Sequence, residues 1–150
     1  MTLVKRQYSG GGQTLSVELW ALANPTTAIG SVTLTLSSVL DSVATSISFE
    51  GVKQVVSNEG VTGANGTGGD ATVNITTVSD TSWVIDGVVT GDTAITVGPG
   101  QVQRSNVSGS LGSAGMSTEG PITPAGTVTM SWTDIGLQPW AIASMYIKPA

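Results

Sequence analysis

The carboxylates are the side chains of this sequence best suited to act as acids, bases or cation ligands. The chain has ten of them but no cysteine and no histidine, so the thiolate nucleophile and the most common general base are both absent. Most of the acidic residues stand in turn contexts, such as Gly69-Asp70 or Gly91-Asp92, where a side chain that caps its own turn is the ordinary explanation. No carboxylate pair stands out in the strand pattern, and we therefore expect no enzymatic activity. The ten are Glu18, Asp41, Glu50, Glu59, Asp70, Asp80, Asp86, Asp92, Glu119 and Asp134.

Asp86 differs from the other acidic residues because it lies inside an apolar run, between Ile85 and Gly87. A carboxylate that is half-buried in a sheet needs a partner, since burying an unpaired charge is costly. Arg104 is the partner that we expect, in a buried ion pair. The alternative is that both residues contact a ligand.

A second group of oxygen-bearing side chains lies in the glycine-rich residues 65–70, which begin with Asn65 and end with Asp70. Asp and Asn side chains and backbone carbonyls are the ligands that calcium prefers. The spacing matches no defined calcium loop, so we expect no metal and no cofactor, with calcium here as the alternative. The polar residues 57–70 as a whole predict a long exposed loop.

Four tryptophans could provide flat apolar surfaces. Trp83 and Trp132 are in phase with apolar neighbours and are predicted to lie in the core, whereas Trp20 and Trp140 share their phase with polar neighbours. One of these two is therefore expected to be exposed, either for stacking on a sugar ring or for packing and subunit contact. The candidate ligand-binding residues are Trp20, Trp140, Asn65, Asp70, Asp86 and Arg104.

The elements that must position these residues are strands. Apolar and polar residues alternate with a period of two in segment after segment, and no helical period is seen. Apolar residues on both faces mark residues 83–89 and 140–148 as central strands. We predict an all-β fold, a two-sheet antiparallel jelly-roll-like sandwich of about 8–10 strands in a single domain over residues 1–150. The predicted strands cover residues 14–23, 31–36, 43–49, 71–76, 83–89, 101–106, 114–118, 127–133 and 140–148.

The charge distribution argues against two classes of partner. The net charge is -5 and the five cations form no basic stripe, so we expect no nucleic acid partner. No apolar run approaches 20 residues, so we expect no membrane insertion. The sequence begins without the apolar core of a signal peptide. Few charges with abundant Thr, Ser and Gly are typical of surface proteins, and we expect an extracellular or virion-surface location.

Several segments together resemble a concanavalin-like or jelly-roll β-sandwich module that recurs in bacterial surface proteins and in phage structural proteins. The resemblance implies binding, adhesion or assembly without a shared active site. The segments are residues 1–4 (MTLV), 16–22 (SVELWAL), 47–54 (ISFEGVKQ), 83–86 (WVID), 128–132 (VTMSW), 140–143 (WAIA) and 147–150 (IKPA).

The sequence departs from that module at its start. In modules of this type, the segment that resembles residues 1–5 follows earlier strands, which are lacking here. An open edge at Thr2, Leu3, Val4 and Lys5 is then expected to pair with another chain, and a truncated or misplaced start is the alternative. The leading hypothesis is a structural subunit of a virion, filament or surface layer that forms a homo-oligomer or larger assembly. The alternative is a lectin-like adhesion module that binds a glycan.

Overall fold

A computed structural model describes residues 1–12, 14–26, 30–55, 60–133 and 135–150 of the chain. These residues form ten strands, all paired antiparallel, and they contain no helix of the length and apolarity needed to cross a membrane. The predicted all-β sandwich with about 8–10 strands is confirmed. The strands are β1 (Thr2–Tyr8), β2 (Ser16–Ala21), β3 (Val61–Thr67), β4 (Ala71–Thr76), β5 (Ser82–Thr90), β6 (Thr96–Val97), β7 (Val102–Gly109), β8 (Gly112–Ile122), β9 (Thr127–Thr133) and β10 (Pro139–Ile147).

The core lies between a five-stranded sheet, in the order β3-β10-β5-β8-β7, and a three-stranded sheet, in the order β4-β9-β6. β4 shows how the sequence pattern produces this arrangement, because Ala71, Val73 and Ile75 are buried while the residues between them are exposed. β5 and β10 occupy the centre of the larger sheet, as their two apolar faces predict. The largest fully buried side chains of the core are Trp132, Met130, Ile135, Ile142, Val84 and Val88.

The hairpin formed by β1 and β2 is a sheet of its own on the opposite face of the five-stranded sheet, which we call the outer face. The hairpin can approach closely because glycine lies beneath it. A Cβ atom added to Gly87 of β5 would lie 3.1 Å from Val17 Cγ2 and 3.5 Å from Leu19 Cδ2. The described chain thus has three sheets in three layers, where the sequence predicted two sheets.

The strand predictions for residues 31–36 and 43–49 are wrong. Residues 30–49, which we call the arm, form no strand, although they alternate in polarity as strands do. The arm touches the outer face through a hydrogen bond from Thr45 Oγ1 to Ser105 Oγ (2.9 Å) and through the rings of Phe49 and Trp83, whose centroids are 6.0 Å apart. The physical reason is that the arm's backbone has no ladder partner, and alternation alone does not hold a strand in place.

The segments on either side of the arm lie close together. The backbone N–H of Asn24 donates to Gln54 Oε1 at 2.7 Å. Val52, which follows the arm, forms an antiparallel bridge with Pro149.

The predicted exposed loop over residues 57–70 is also wrong, since β3 occupies Val61–Thr67 and pairs with β10 along its whole length. Residues 57–59 lie outside the described residues. The glycines of this stretch make room for aromatic rings rather than for a loop. A Cβ atom added to Gly66 would lie 2.7 Å from Trp140 Cζ2, and one added to Gly60 would overlap the ring of Tyr146.

Candidate functional site

Asp86 is the centre of a buried polar cluster in the core. Its Oδ1 accepts hydrogen bonds from the backbone N–H (2.9 Å) and the hydroxyl (2.7 Å) of Ser117. Its Oδ2 accepts from Trp132 Nε1 at 2.9 Å and from Gln101 Nε2 at 3.3 Å. The predicted ion pair with Arg104 is wrong, because Arg104 Nε donates to Thr118 Oγ1 at 2.8 Å.

The strand register explains how this cluster is built. Asp86 of β5 stands directly opposite Ser117 of β8, so the two side chains share the face that looks into the core. Trp132 reaches the carboxylate from β9 in the other sheet. Gln101 joins the same sheets a second time, because its Oε1 accepts the backbone N–H of Ser131 at 2.7 Å. The cluster thus ties the two sheets of the sandwich together through polar contacts.

The electrostatics of the cluster are set by burial. Burial raises the pKa of Asp86 to about 6, and the hydrogen bonds from Ser117, Trp132 and Gln101 offset only part of that effect. All four hydrogen bonds come from neutral donors. The side chain of Asp86 has no exposed surface to present to a substrate. The arrangement therefore cross-links the core.

The outward face of the hairpin carries an exposed polar and aromatic group, which we call the Trp20 face. Trp20 is 47% exposed, and its Nε1 donates to Glu18 Oε2 at 2.8 Å. Glu18 Oε1 in turn accepts from Arg6 Nε at 2.6 Å, and Arg6 also hydrogen-bonds to the side chain of Tyr8. Arg6 and Glu18 stand opposite each other in the ladder, which places all four side chains on one face. The prediction that one of Trp20 and Trp140 is exposed is confirmed, for Trp20.

Trp140 is the buried one of the two. It is only 7% exposed, its Nε1 donates to the carbonyl of Gly68 at 3.1 Å, and its ring lies on Gly66. A tryptophan enclosed in this way has no free ring face for a sugar. Trp83, predicted to lie in the core, is instead half-buried on the outer face, beside Phe49.

The remaining predicted ligand-binding residues are not gathered into one site. Asn65 lies in β3 opposite Ala141, and Asp70 is exposed just before β4. Within the described ranges, no hydrogen bond or ion pair joins any two of the six predicted side chains.

The glycine-rich stretch considered for calcium is mostly strand, since β3 extends to Thr67. Among the residues that the structure describes, no three acidic side chains converge in a way that could hold a metal ion. Glu59 and Asp134 lie outside those residues. Calcium binding and the expected lack of a cofactor both remain predictions.

The predicted assembly edge, Thr2 to Lys5, lies in β1. One edge of β1 pairs with β2, and a shift in register between Leu3 and Lys5 leaves Val4 in a buried bulge. In the part of the chain that the structure describes, no strand pairs with the other edge of β1 or with the outer edge of β2. Both edges of the hairpin therefore carry backbone groups without a ladder partner.

The arm and the outer face enclose an open cavity with a volume of about 2470 Å³. The arm lines it on one side, and Ile85, Val89, Ala114 and Met116 contribute to the other. Sequence reasoning identified the apolar residues of the arm but placed them in a sheet, and no signal in the sequence showed that they would lack a partner. The exposed large apolar residues of the arm are Val32, Leu34, Leu36, Val39, Leu40, Val43 and Ile47.

Three comparisons with known proteins complete the description of the site. No protein-family model, no curated protein and no solved structure is significantly similar to the chain.

Proposed function

We propose that this chain is a non-enzymatic structural subunit that assembles with other copies of itself, at a virion surface or in an extracellular filament or surface layer. The observation that carries the proposal is the exposed arm. Leu34 is 54% exposed and Leu40 is 63% exposed, and both belong to a run that contains a single charged residue, Asp41. Many exposed large apolar side chains in one segment mark an interaction site in a folded protein, because leaving apolar surface in water is costly.

The unpaired strand edges support the same proposal. Proteins that function as single chains protect such edges with charges, prolines or covering segments. The outer edge of β2 has one charged side chain, Glu18, and that side chain is engaged by Arg6 and Trp20. An edge without such protection is suited to pairing with a strand from another molecule. The resemblance to modules of bacterial surface and phage structural proteins points to the same class of function.

Light scattering coupled to size exclusion, over a hundredfold range of protein concentration at neutral pH, tests this proposal. We expect a mass that is a multiple of the 15.1 kDa chain. Because the proposed contact is apolar, the assembly should persist in moderate salt, which screens surface charges. A monomer at every concentration would contradict the proposal.

A second candidate function is glycan binding on the Trp20 face. The specific observation is an exposed indole whose edge is fixed by a carboxylate, beside an arginine and a tyrosine, since sugar sites combine a ring for stacking with polar groups for hydroxyls. Glycan-array binding that Trp20→Ala lowers at least tenfold would support it. Leu22→Ala, at an exposed apolar position two residues along, is the matched control and should bind as the wild type does. An array without binding would count against this function.

A further inference from the structure

The unfilled outer face and the unpaired arm belong to the same chain, and they are complementary. Val89, Ala114 and Val107 stand side by side across β5, β8 and β7, on the face where Gly87 meets the hairpin. This part of the outer face lies beyond the outer edge of β2, and Val107 there is 45% exposed. A strand that paired with β2 would cover it, because neighbouring strands lie about 4.8 Å apart and sheets pack about 10 Å apart.

The arm has the composition that such a strand needs. Its first half alternates Val32, Leu34 and Leu36 with Ser31, Thr33 and Thr35, and its second half alternates in the same way up to Phe49. One face of each half would lie on the apolar outer face, and the hydroxyl-bearing face would meet solvent. In the single chain, however, the arm leaves the cavity of about 2470 Å³ open. Its apolar residues are therefore not buried by the molecule to which they belong.

We infer that the arm is a strand donor that is exchanged between copies of this chain, each arm pairing with the β2 edge and covering the outer face of a neighbour. This inference rests on the proposed function and names its partner and its contact. A second copy is the partner that the observations favour, because every copy carries both the arm and the complementary surface, while within one chain the arm's apolar residues stay exposed and the cavity stays open. Such an exchange closes as a reciprocal dimer or continues as a chain of subunits.

The dimensions of the arm allow the exchange. Half of the arm, about ten residues, spans roughly 33 Å when extended. A domain of this length has a radius of gyration of about 15 Å. The hydrogen bond between Asn24 and Gln54 shows that the segments before and after the arm lie close together, and the strands of the three sheets do not include any residue of the arm.

The first test removes the apolar character of the arm. In the variant Leu34→Ser/Leu36→Ser/Leu40→Ser, we expect the assembly seen by light scattering to dissociate to 15.1 kDa chains. The dissociated variant should still unfold cooperatively in urea, because all three residues are exposed in the single chain. Its strand signal in circular dichroism should be lower than that of the assembly only by the contribution of the exchanged arm, which forms no strand in the single chain. Leu137→Ser is the matched control, since Leu137 is 88% exposed but lies outside the arm, and it should leave the assembly intact.

The outcomes separate the inference from the proposed function. A wild-type protein that is monomeric throughout overturns both. An assembly that survives the triple variant overturns the exchange but leaves assembly through other edges standing. A triple variant that no longer unfolds cooperatively points to a role of the arm within its own chain, and this also overturns the exchange.

The second test uses the absence of cysteine, which makes any introduced disulfide a clean reporter. Strand exchange transfers the contact between Thr45 and Ser105 to a neighbouring copy. We therefore expect Thr45→Cys and Ser105→Cys chains, refolded together from urea and oxidised, to give a covalent dimer that contains one chain of each kind. Each variant oxidised alone is the control and should give markedly less dimer. A mixture without the mixed dimer overturns the exchange, as does a Thr45→Cys/Ser105→Cys double variant that closes only within its own chain.

Discussion

Replacing Asp86 with alanine is expected to lower the free energy of unfolding by about 4 kcal/mol at pH 7. The carboxylate accepts four hydrogen bonds, and its removal leaves Trp132 Nε1, the backbone N–H of Ser117 and Gln101 Nε2 without this acceptor in the core. A buried donor left without an acceptor costs about 1–3 kcal/mol. The two sheets also lose the direct polar connection between Asp86 and Trp132. Urea denaturation followed by circular dichroism measures the change.

Two variants show whether the loss comes from the cluster. Trp132→Phe keeps most of the buried ring but removes one donor, and we expect a smaller loss of about 2 kcal/mol. Asp70→Ala removes an exposed carboxylate and should change the stability by no more than about 0.5 kcal/mol. If Asp86→Ala were as stable as the wild type, the cluster would not be what ties the sheets together.

The sequence was a good guide to the central strands and a poor guide to the partner of Asp86. β5 and β10 carry apolar residues on both faces, and only a buried central strand tolerates that pattern. The need of Asp86 for a partner was also evident. The actual partners of Asp86 were not evident from the sequence, because Trp132 is 46 residues away and comes from the other sheet. Reasoning from charge favoured Arg104, whereas the register brought neutral donors to the carboxylate.

Small polar residues were poor indicators of solvent exposure in this sequence. Trp140 shares its phase with Ser144, which suggested a solvent-facing side, but Ser144 is itself fully buried and donates its hydroxyl hydrogen to the carbonyl of Ile85 at 2.9 Å. A serine whose hydroxyl is hydrogen-bonded within its own sheet costs little to bury, so it does not indicate a solvent-exposed face. Glycine was misleading in the same way in β3, where Gly66 accommodates the ring of Trp140 and Gly63 accommodates the side chains of Gln7 and Lys5, rather than forming a loop.

The arm is a segment where the sequence predicts strands and the structure shows none. Its alternation is as regular as that of β4, yet β4 pairs with β9 whereas the arm has no ladder partner. Alternation of apolar and polar residues indicates that a segment can pack in a sheet, but it does not indicate which molecule supplies the neighbouring strand. The strands predicted in the arm are consistent with the exchange inferred above, because the arm would form a strand when it pairs with the β2 edge of a second copy.

The stability of the fold is expected to fall as the pH rises from about 4 to about 7, by about 2 kcal/mol from Asp86 alone. In the folded protein the pKa of Asp86 is raised from 3.8 to about 6, chiefly by burial. The folded chain therefore binds this proton more tightly than the unfolded chain does. The resulting stabilisation is complete below pH 3.8 and is lost as the pH rises through about 6. Burial also raises the pKa of Glu119, which acts in the same direction.

Asp86→Asn isolates this contribution, because the amide does not titrate. The difference in unfolding free energy between wild type and variant, measured in urea at half-unit steps of pH, should shrink by about 2 kcal/mol between pH 4 and pH 7. Glu119→Gln in the same series separates the effect of the second carboxylate. Parallel profiles for wild type and Asp86→Asn would contradict a raised pKa at Asp86. A stability profile that falls with pH more steeply in the wild type than in Asp86→Asn would show that burial outweighs the four donors around this carboxylate.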